Sequence, residues 1–164
     1  MKTLILVRHA KSSWDDASLS DFNRPLNERG ERDAPRMAKR LKEKDLPVDT
    51  ILTSPSVRTL TTCNVFVDVL GLPKAQVKTV KELYHAGDEM ILKVIKGIND
   101  NCRVAMIFGH NPGLTDFVNN LCEEEIDNIP TCGVVRCELK VDRWNDVKWG
   151  SAEITFFDYP KKHG

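Results

Sequence analysis

An uninterrupted apolar run near the start of the chain ends directly in an arginine and a histidine. Leu4-Ile5-Leu6-Val7 is followed by Arg8 and His9. A short apolar run of this kind, with β-branched residues, predicts a strand that is buried on both faces, as in a parallel sheet. Ligands bind at the carboxyl ends of the strands in open α/β sheets. The run therefore predicts that Arg8 and His9 lie at a binding site.

These two residues have the chemistry that a phosphate site needs. The guanidinium of Arg8 is a rigid fork of donors that matches phosphate oxygens. The imidazole of His9 is partly neutral at pH 7, so a ring nitrogen can act as a nucleophile. Taken alone, the pair is equally compatible with an ordinary polar loop after a core strand.

A second histidine has the same placement as the first. Residues 102–108 form another strongly apolar run, which leads into Gly109-His110-Asn111-Pro112-Gly113. Gly109 allows a close approach of the backbone, and the Asn-Pro pair turns the chain into a helix. His110, like His9, is thus the first polar side chain after a buried strand, and a simple turn histidine becomes the weaker interpretation.

A second arginine also follows a strand-like run. Residues 49–53 indicate a strand, and Ser54-Pro55-Ser56 then opens a helix that has Arg58 in its first turn. A helix N-terminus and an arginine together favour an anion. The alternative is a surface arginine paired with a carboxylate. We expect four residues to surround one phosphate: Arg8, His9, Arg58 and His110.

The polar, irregular stretch between residues 11 and 24 follows His9 directly, and we expect it to form a wall of the site. It contains Trp14. We interpret Trp14 as an anchor that packs back on the core, with a recognition surface as the alternative.

The rest of the pattern alternates strands and helices and ends in two strands. Asn27 is a candidate N-cap for a helix, in which Gly30 and Pro35 predict a late start or a kink. Residues 133–141 and 152–157 indicate an antiparallel hairpin. The sequence thus predicts an α/β fold, a three-layer sandwich with a mostly parallel central sheet, helices on both faces and a C-terminal antiparallel edge hairpin.

Composition narrows the class of protein. The 164 residues predict a single domain, 1–164, and the equal numbers of basic and acidic residues (24 each) provide no global field for nucleic acid or for an anionic membrane. No signal peptide or membrane span is indicated. The five cysteines form no C-x-x-C pair, which argues against zinc and disulfides and favours a cytoplasmic protein with reduced thiols.

Four motifs in a fixed order are similar to those of the histidine phosphatase superfamily, which has the phosphoglycerate mutase-like fold. They span roughly positions 2 to 122, and the combination is specific although no single piece is. The matching segments are Leu6-Val7-Arg8-His9, Arg24-Pro25-Leu26 followed by Gly30, Ser54-Pro55-Ser56-Val57-Arg58-Thr59 followed by Thr62, and Gly109-His110-Asn111.

The resemblance implies a role for each of the four residues. His9 corresponds to the nucleophile that becomes phosphorylated, and Arg8, Arg58 and a protonated His110 correspond to the phosphate pocket. The resemblance implies no metal and no cofactor. Within the superfamily the short chain resembles the small bacterial phosphohistidine phosphatases of the SixA type. Their open pocket would admit a phosphorylated side chain on a protein.

The position of the proton donor departs from other branches. Asn111 stands where the acid phosphatase branch has an aspartate, and His85 stands where the mutase branch has a glutamate. An alkyl ester needs its leaving oxygen protonated. The leaving group of a phosphoramidate such as phosphohistidine is a more basic imidazole, which takes up its proton more readily. We therefore expect phosphohistidine on a histidine phosphotransfer-type protein as the substrate, with His85 as a candidate substrate-binding residue and proton donor.

Two alternatives remain open at this point. One is a phosphatase for a small phosphorylated metabolite. The other is a phosphate-binding module without turnover, which His9 argues against because a binder needs only the arginines.

Overall fold

The computed structural model describes residues 1–163 and shows a six-stranded sheet with helices on both faces. The strands are β1 (Lys2–Arg8), β2 (Thr50–Thr53), β3 (Val77–Thr79), β4 (Val104–Gly109), β5 (Val134–Leu139) and β6 (Ala152–Asp158). The helices are α1 (Glu28–Lys42), α2 (Val57–Leu70), α3 (Asp88–Lys96) and α4 (Gly113–Cys122). Within residues 1–163, no helix is long and apolar enough to cross a membrane.

The strand order places the two apolar runs side by side in the middle of the sheet. The order is β3-β2-β4-β1-β5-β6. β1 pairs in parallel with β4, and β2 pairs in parallel with both β4 and β3. β5 and β6 form an antiparallel hairpin that continues from β1 to the sheet edge. The predicted mostly parallel sheet with a C-terminal edge hairpin is confirmed.

The alternation of side chains along β1 divides the core between two helical layers. Leu4 and Leu6 are fully buried in the cluster that contains residues of α3 and α4. Ile5 and Val7 are fully buried in the cluster that contains residues of α1 and α2. Each such side chain contributes about 1.5–3 kcal/mol when it leaves water. A strand that is apolar on both faces is therefore stable only between two layers.

Helix α1 differs from the sequence-based expectation. It begins at Glu28, directly after Asn27, whose side chain accepts a hydrogen bond from Gly30 N at 2.8 Å, and it continues through Pro35. The expected late start is therefore wrong. A Cβ at Gly30 would overlap the backbone oxygen of Lys11. Glycine is required here because α1 packs directly against the segment that follows His9.

Candidate active site

The register of the central strands brings two histidines together. Arg8 of β1 is paired with Gly109 of β4, so His9 and His110 follow at the same level of the sheet. Their ring centroids are 5.3 Å apart. Only 7% of His9 and 3% of His110 are exposed to solvent. The arrangement follows from two parallel strands that end at one edge.

Arg58 reaches the same place from the N-terminus of α2. Its Nη2 lies 3.5 Å from Nδ1 of His110, and the residue is 2% exposed. Together the strand ends and α2 border a cavity of about 260 Å³. The four residues that the sequence singled out all line it, as do His85, Asn111 and Trp14; its other lining residues are Lys11, Ser12, Asp21, Arg24 and Thr131.

Hydrogen bonds determine which ring nitrogens carry protons. Nδ1 of His9 lies 2.8 Å from the carbonyl oxygen of Ala10, which can only accept, so Nδ1 holds the proton and Nε2 keeps its lone pair. Nε2 of His110 lies 2.8 Å from Oγ of Ser54. Its Nδ1 lies next to the guanidinium of Arg58, a group that only donates. Neutral His110 is therefore protonated at Nε2.

Both imidazoles are neutral at pH 7. Burial, together with the charges of Arg58 and Arg8, lowers the pKa of His9 to about 4, against the opposing effect of its bond to Ala10. Burial, with His9 and Arg58 as further causes, lowers the pKa of His110 to about 3. A protonated His110, which the sequence analysis expected around a phosphoryl group, is therefore not the form that the protein has by itself at pH 7. A neutral His9 is the form that can act as a nucleophile.

The two arginines present donors that lack a protein acceptor. Nη1 of Arg8 donates to the carbonyl of Ile129 at 2.9 Å. Within residues 1–163, no acceptor pairs with the buried Nε of Arg8 or of Arg58. Burial and the neighbouring Arg58 lower the pKa of Arg8. Unpaired buried donors and mutual repulsion are both relieved by an anion between the two guanidinium groups.

Asp21, which the sequence analysis did not single out, connects several of these groups. Its Oδ2 accepts hydrogen bonds from Nη2 of Arg58 at 3.0 Å and from the hydroxyl of Tyr84 at 2.6 Å. Its Oδ1 accepts from Nε and Nη2 of Arg24 at 3.2 and 3.1 Å. Its backbone oxygen accepts from Nη1 of Arg58 at 2.6 Å. Asp21 thus holds the guanidinium of Arg58 by two contacts, one to its carboxylate and one to its backbone oxygen.

The charge of Asp21 is fixed by the same contacts. Burial opposes ionisation, but hydrogen bonds from Tyr84, His85 and Arg58 hold the pKa of the Asp21 carboxyl well below its usual value. The sequence offered little signal for this residue, because it lies in an irregular polar stretch and its partner Tyr84 is 63 positions away. Arg24, in contrast, belongs to one of the motifs that carried the family resemblance.

His85 and Asn111 lie at the rim of the cavity. The ring centroid of His85 is 5.2 Å from that of His110, and its Nε2 lies 2.9 Å from Oδ2 of Asp21. The Asn111 amide donates to the carbonyl of Ile129 and accepts from Thr115, so it stabilises the loop after β4. Asn111 therefore has a structural role. The sequence comparison, which showed only that it stands where another branch has an aspartate, did not reveal this role.

The lowered histidine pKa values predict that stability depends on pH. The unfolded chain binds protons at His9 and His110 below the ordinary pKa of 6.5, whereas the folded chain does so only near 4 and 3. The free energy of unfolding should therefore fall as the pH falls from 6.5 towards 4, by at most about 1.4 kcal/mol per pH unit for each imidazole. Urea titrations across this range measure the slope.

A matched variant identifies the source of that slope. His110→Asn removes one of the two imidazoles and should make the dependence on pH shallower. Asp21 does not interfere, since its carboxyl adds to the loss only below its ordinary pKa of 3.8. An unchanged slope in the variant would contradict the assignment.

Comparison with known proteins agrees with this geometry. A family model described as the histidine phosphatase superfamily (branch 1) matches residues 4–97. An uncharacterised chloroplastic protein of Arabidopsis thaliana is 31% identical over 153 residues, which is 88% of this chain and 70% of the plant protein.

Solved structures share the whole fold. A SixA protein from Agrobacterium tumefaciens has a TM-score of 0.83 at 23% identity, covering 97% of this chain and 98% of that one. The protein histidine phosphatase SixA complexed with tungstate has a TM-score of 0.81 at 22% identity, covering 96% and 97%. The chain therefore belongs to branch 1 of the histidine phosphatase superfamily and has the fold of its SixA-type members.

Proposed function

We propose that the protein is a phosphatase that transfers a phosphoryl group first to His9 and then to water, and that its substrate is phosphohistidine on a protein. Family membership supports phosphatase activity. The observation that carries the proposal is the environment of His9. A neutral imidazole with a free lone pair on Nε2 shares one cavity with the guanidinium groups of Arg8 and Arg58.

The reaction proceeds in two displacements at phosphorus. Nε2 of His9 attacks the phosphorus as the bond to the substrate nitrogen breaks, and the departing imidazole takes up a proton. Water then attacks phosphorylated His9, which releases inorganic phosphate and regenerates the neutral imidazole. Each step moves negative charge onto the three equatorial oxygens of the phosphoryl group.

The surrounding cations stabilise that charge. Arg8 and Arg58 are held in place before the substrate binds, so little reorganisation is needed during the reaction. A bound phosphoryl dianion favours the charged form of His110, which can then take up a proton at Nδ1 and donate it in a hydrogen bond. The expected cationic His110 is thus a property of the complex.

The lining of the cavity favours a phosphoramidate over an alkyl phosphate. Asp21 is the one carboxylate among the described residues that line it, and hydrogen bonds keep it ionised. Asn111 cannot act as an acid. Without a carboxylic acid, an alkoxide leaving group loses a contribution of about 10²–10⁴ to its rate. A departing imidazole depends far less on an acid, and exposed His85 is the candidate donor for its proton.

A substrate panel tests this proposal. We expect kcat/KM for a phosphorylated histidine phosphotransfer domain to exceed that for phosphoserine and 3-phosphoglycerate by about 10² or more, because these esters need the missing acid. Activity should persist in the presence of a chelator. A clear preference for one small phosphoester would contradict the proposed substrate, and phosphoprotein binding without release of phosphate would contradict an enzyme.

A further inference from the structure

Trp14 lies at the mouth of the cavity with its indole ring open to solvent. It is among the residues that line the cavity, and 75% of its surface is exposed. The expectation that it packs back on the core as an anchor is therefore wrong. A large apolar side chain contributes about 1.5–3 kcal/mol when it is buried, and most of the Trp14 surface stays available to a ligand that enters the cavity.

The ring is held in place from one side. The guanidinium carbon of Arg24 lies 3.5 Å from the centroid of a Trp14 ring, which is a cation–π contact. Arg24 is fixed in turn, since Nη1 donates to Oγ of Ser12 at 2.7 Å and Nε and Nη2 donate to Asp21. One face of the indole is thus occupied by a buried, well-anchored cation.

The backbone around Trp14 is also anchored. The Ser13 amide donates to the carbonyl of Pro25 at 2.8 Å, and the Asp15 amide donates to Oγ of Ser13 at 3.0 Å. Ser12 forms a bridge with Leu26. The segment therefore presents the exposed indole in a defined position, and a ligand that uses it has little ordering cost.

We infer that Trp14 is a stacking platform for a planar, ring-bearing leaving group, such as the imidazole of phosphohistidine. This role rests on the proposed function, because it assumes that the phosphoryl group occupies the cationic end of the cavity. The rest of the substrate then remains at the mouth, beside the indole. A planar ring gains a stacking contact there, and an alkyl group of similar polarity gains much less.

Two phosphonates that differ by one ring provide the test. Phenylphosphonate and methylphosphonate both place a phosphoryl-like dianion in the cavity, and only the first has a ring. We expect wild type to bind phenylphosphonate about three- to tenfold more tightly than methylphosphonate in calorimetric titrations. Trp14→Ala should remove most of that ratio and leave the affinity for methylphosphonate almost unchanged.

Conservative variants separate stacking from a structural role. Trp14→Phe keeps an aromatic face and should retain most of the ratio, whereas Trp14→Leu keeps apolar bulk over Arg24 and should lose it. The inference is overturned if wild type shows no preference for the ring. It is also overturned if Trp14→Ala weakens both phosphonates equally, or if Trp14→Leu keeps the preference.

Neither phosphonate is hydrolysed, so this result does not depend on turnover. If the protein prefers the ring-bearing phosphonate but releases no phosphate from phosphohistidine, the stacking role of Trp14 is supported and the proposed function is wrong. If the protein hydrolyses phosphohistidine but binds both phosphonates equally, the proposed function is supported and the stacking role of Trp14 is wrong.

Discussion

Replacing His9 with glutamine should abolish turnover and the covalent intermediate together. The glutamine amide occupies a similar volume but has no nitrogen lone pair that can attack phosphorus. The route that remains is direct attack of water on the substrate without a protein nucleophile. We expect kcat to fall by about 10⁴ or more, as is typical when a nucleophile is removed. Rapid acid-free quenching after incubation with a ³²P-labelled phosphodonor measures the phosphorylated protein directly.

A matched change at His110 shows whether the label belongs to His9. His110→Gln removes the other buried imidazole, which lies with its ring centroid 5.3 Å from that of His9. This variant should still become labelled, but slowly, because it lacks one donor to the phosphoryl oxygens. If labelling survives in His9→Gln and disappears in His110→Gln, then His110 is the nucleophile and His9 is the donor to the phosphoryl oxygens.

The part of the site that could be predicted depends on local pattern. Arg8, His9 and His110 follow apolar runs, and a buried strand in a parallel sheet places whatever follows it at one edge. Arg58 was predictable because a helix begins directly after β2. Each of these inferences needs only the sequence around one residue and a general rule on strand ends.

The part that could not be predicted depends on contacts between distant segments. Gly30 looked unfavourable within a helix, and only the approach of α1 to Lys11 explains it. Asp21 is one polar residue among many in its stretch until Arg58 and Tyr84 meet it in the fold. The lowered pKa of His110 could not be foreseen for a related reason, since burial and neighbouring charges set it.

Replacing Arg58 with alanine should lower kcat/KM by about 10² or more. The residue is 2% exposed and its guanidinium is already oriented by Asp21, so its charge stabilises the transition state without reorganisation. Arg58→Lys should recover little, because an ammonium group cannot make the two parallel contacts to Asp21 and face the phosphoryl group as well. Steady-state kinetics with a phosphohistidine substrate measures both variants.

Arg40 provides a matched control for the loss of a partly buried arginine. It also contacts a carboxylate, that of Asp158, and a backbone carbonyl, that of Tyr159, but it does not line the cavity. Arg40→Ala should therefore change kcat/KM by no more than about twofold, while it lowers the free energy of unfolding to an extent similar to that of Arg58→Ala. A comparable loss of activity in Arg40→Ala would show that the effect at Arg58 comes from weakened folding.

A double-mutant cycle decides whether Asp21 acts through Arg58. Asp21→Asn keeps the shape of the side chain but weakens its grip on the guanidinium, and we expect kcat/KM to fall by about tenfold in the wild-type background. If Asp21 only orients Arg58, the same change should cost almost nothing once Arg58 is alanine. If the two losses instead multiply, Asp21 contributes separately, through its contacts to Arg24, Tyr84 and His85.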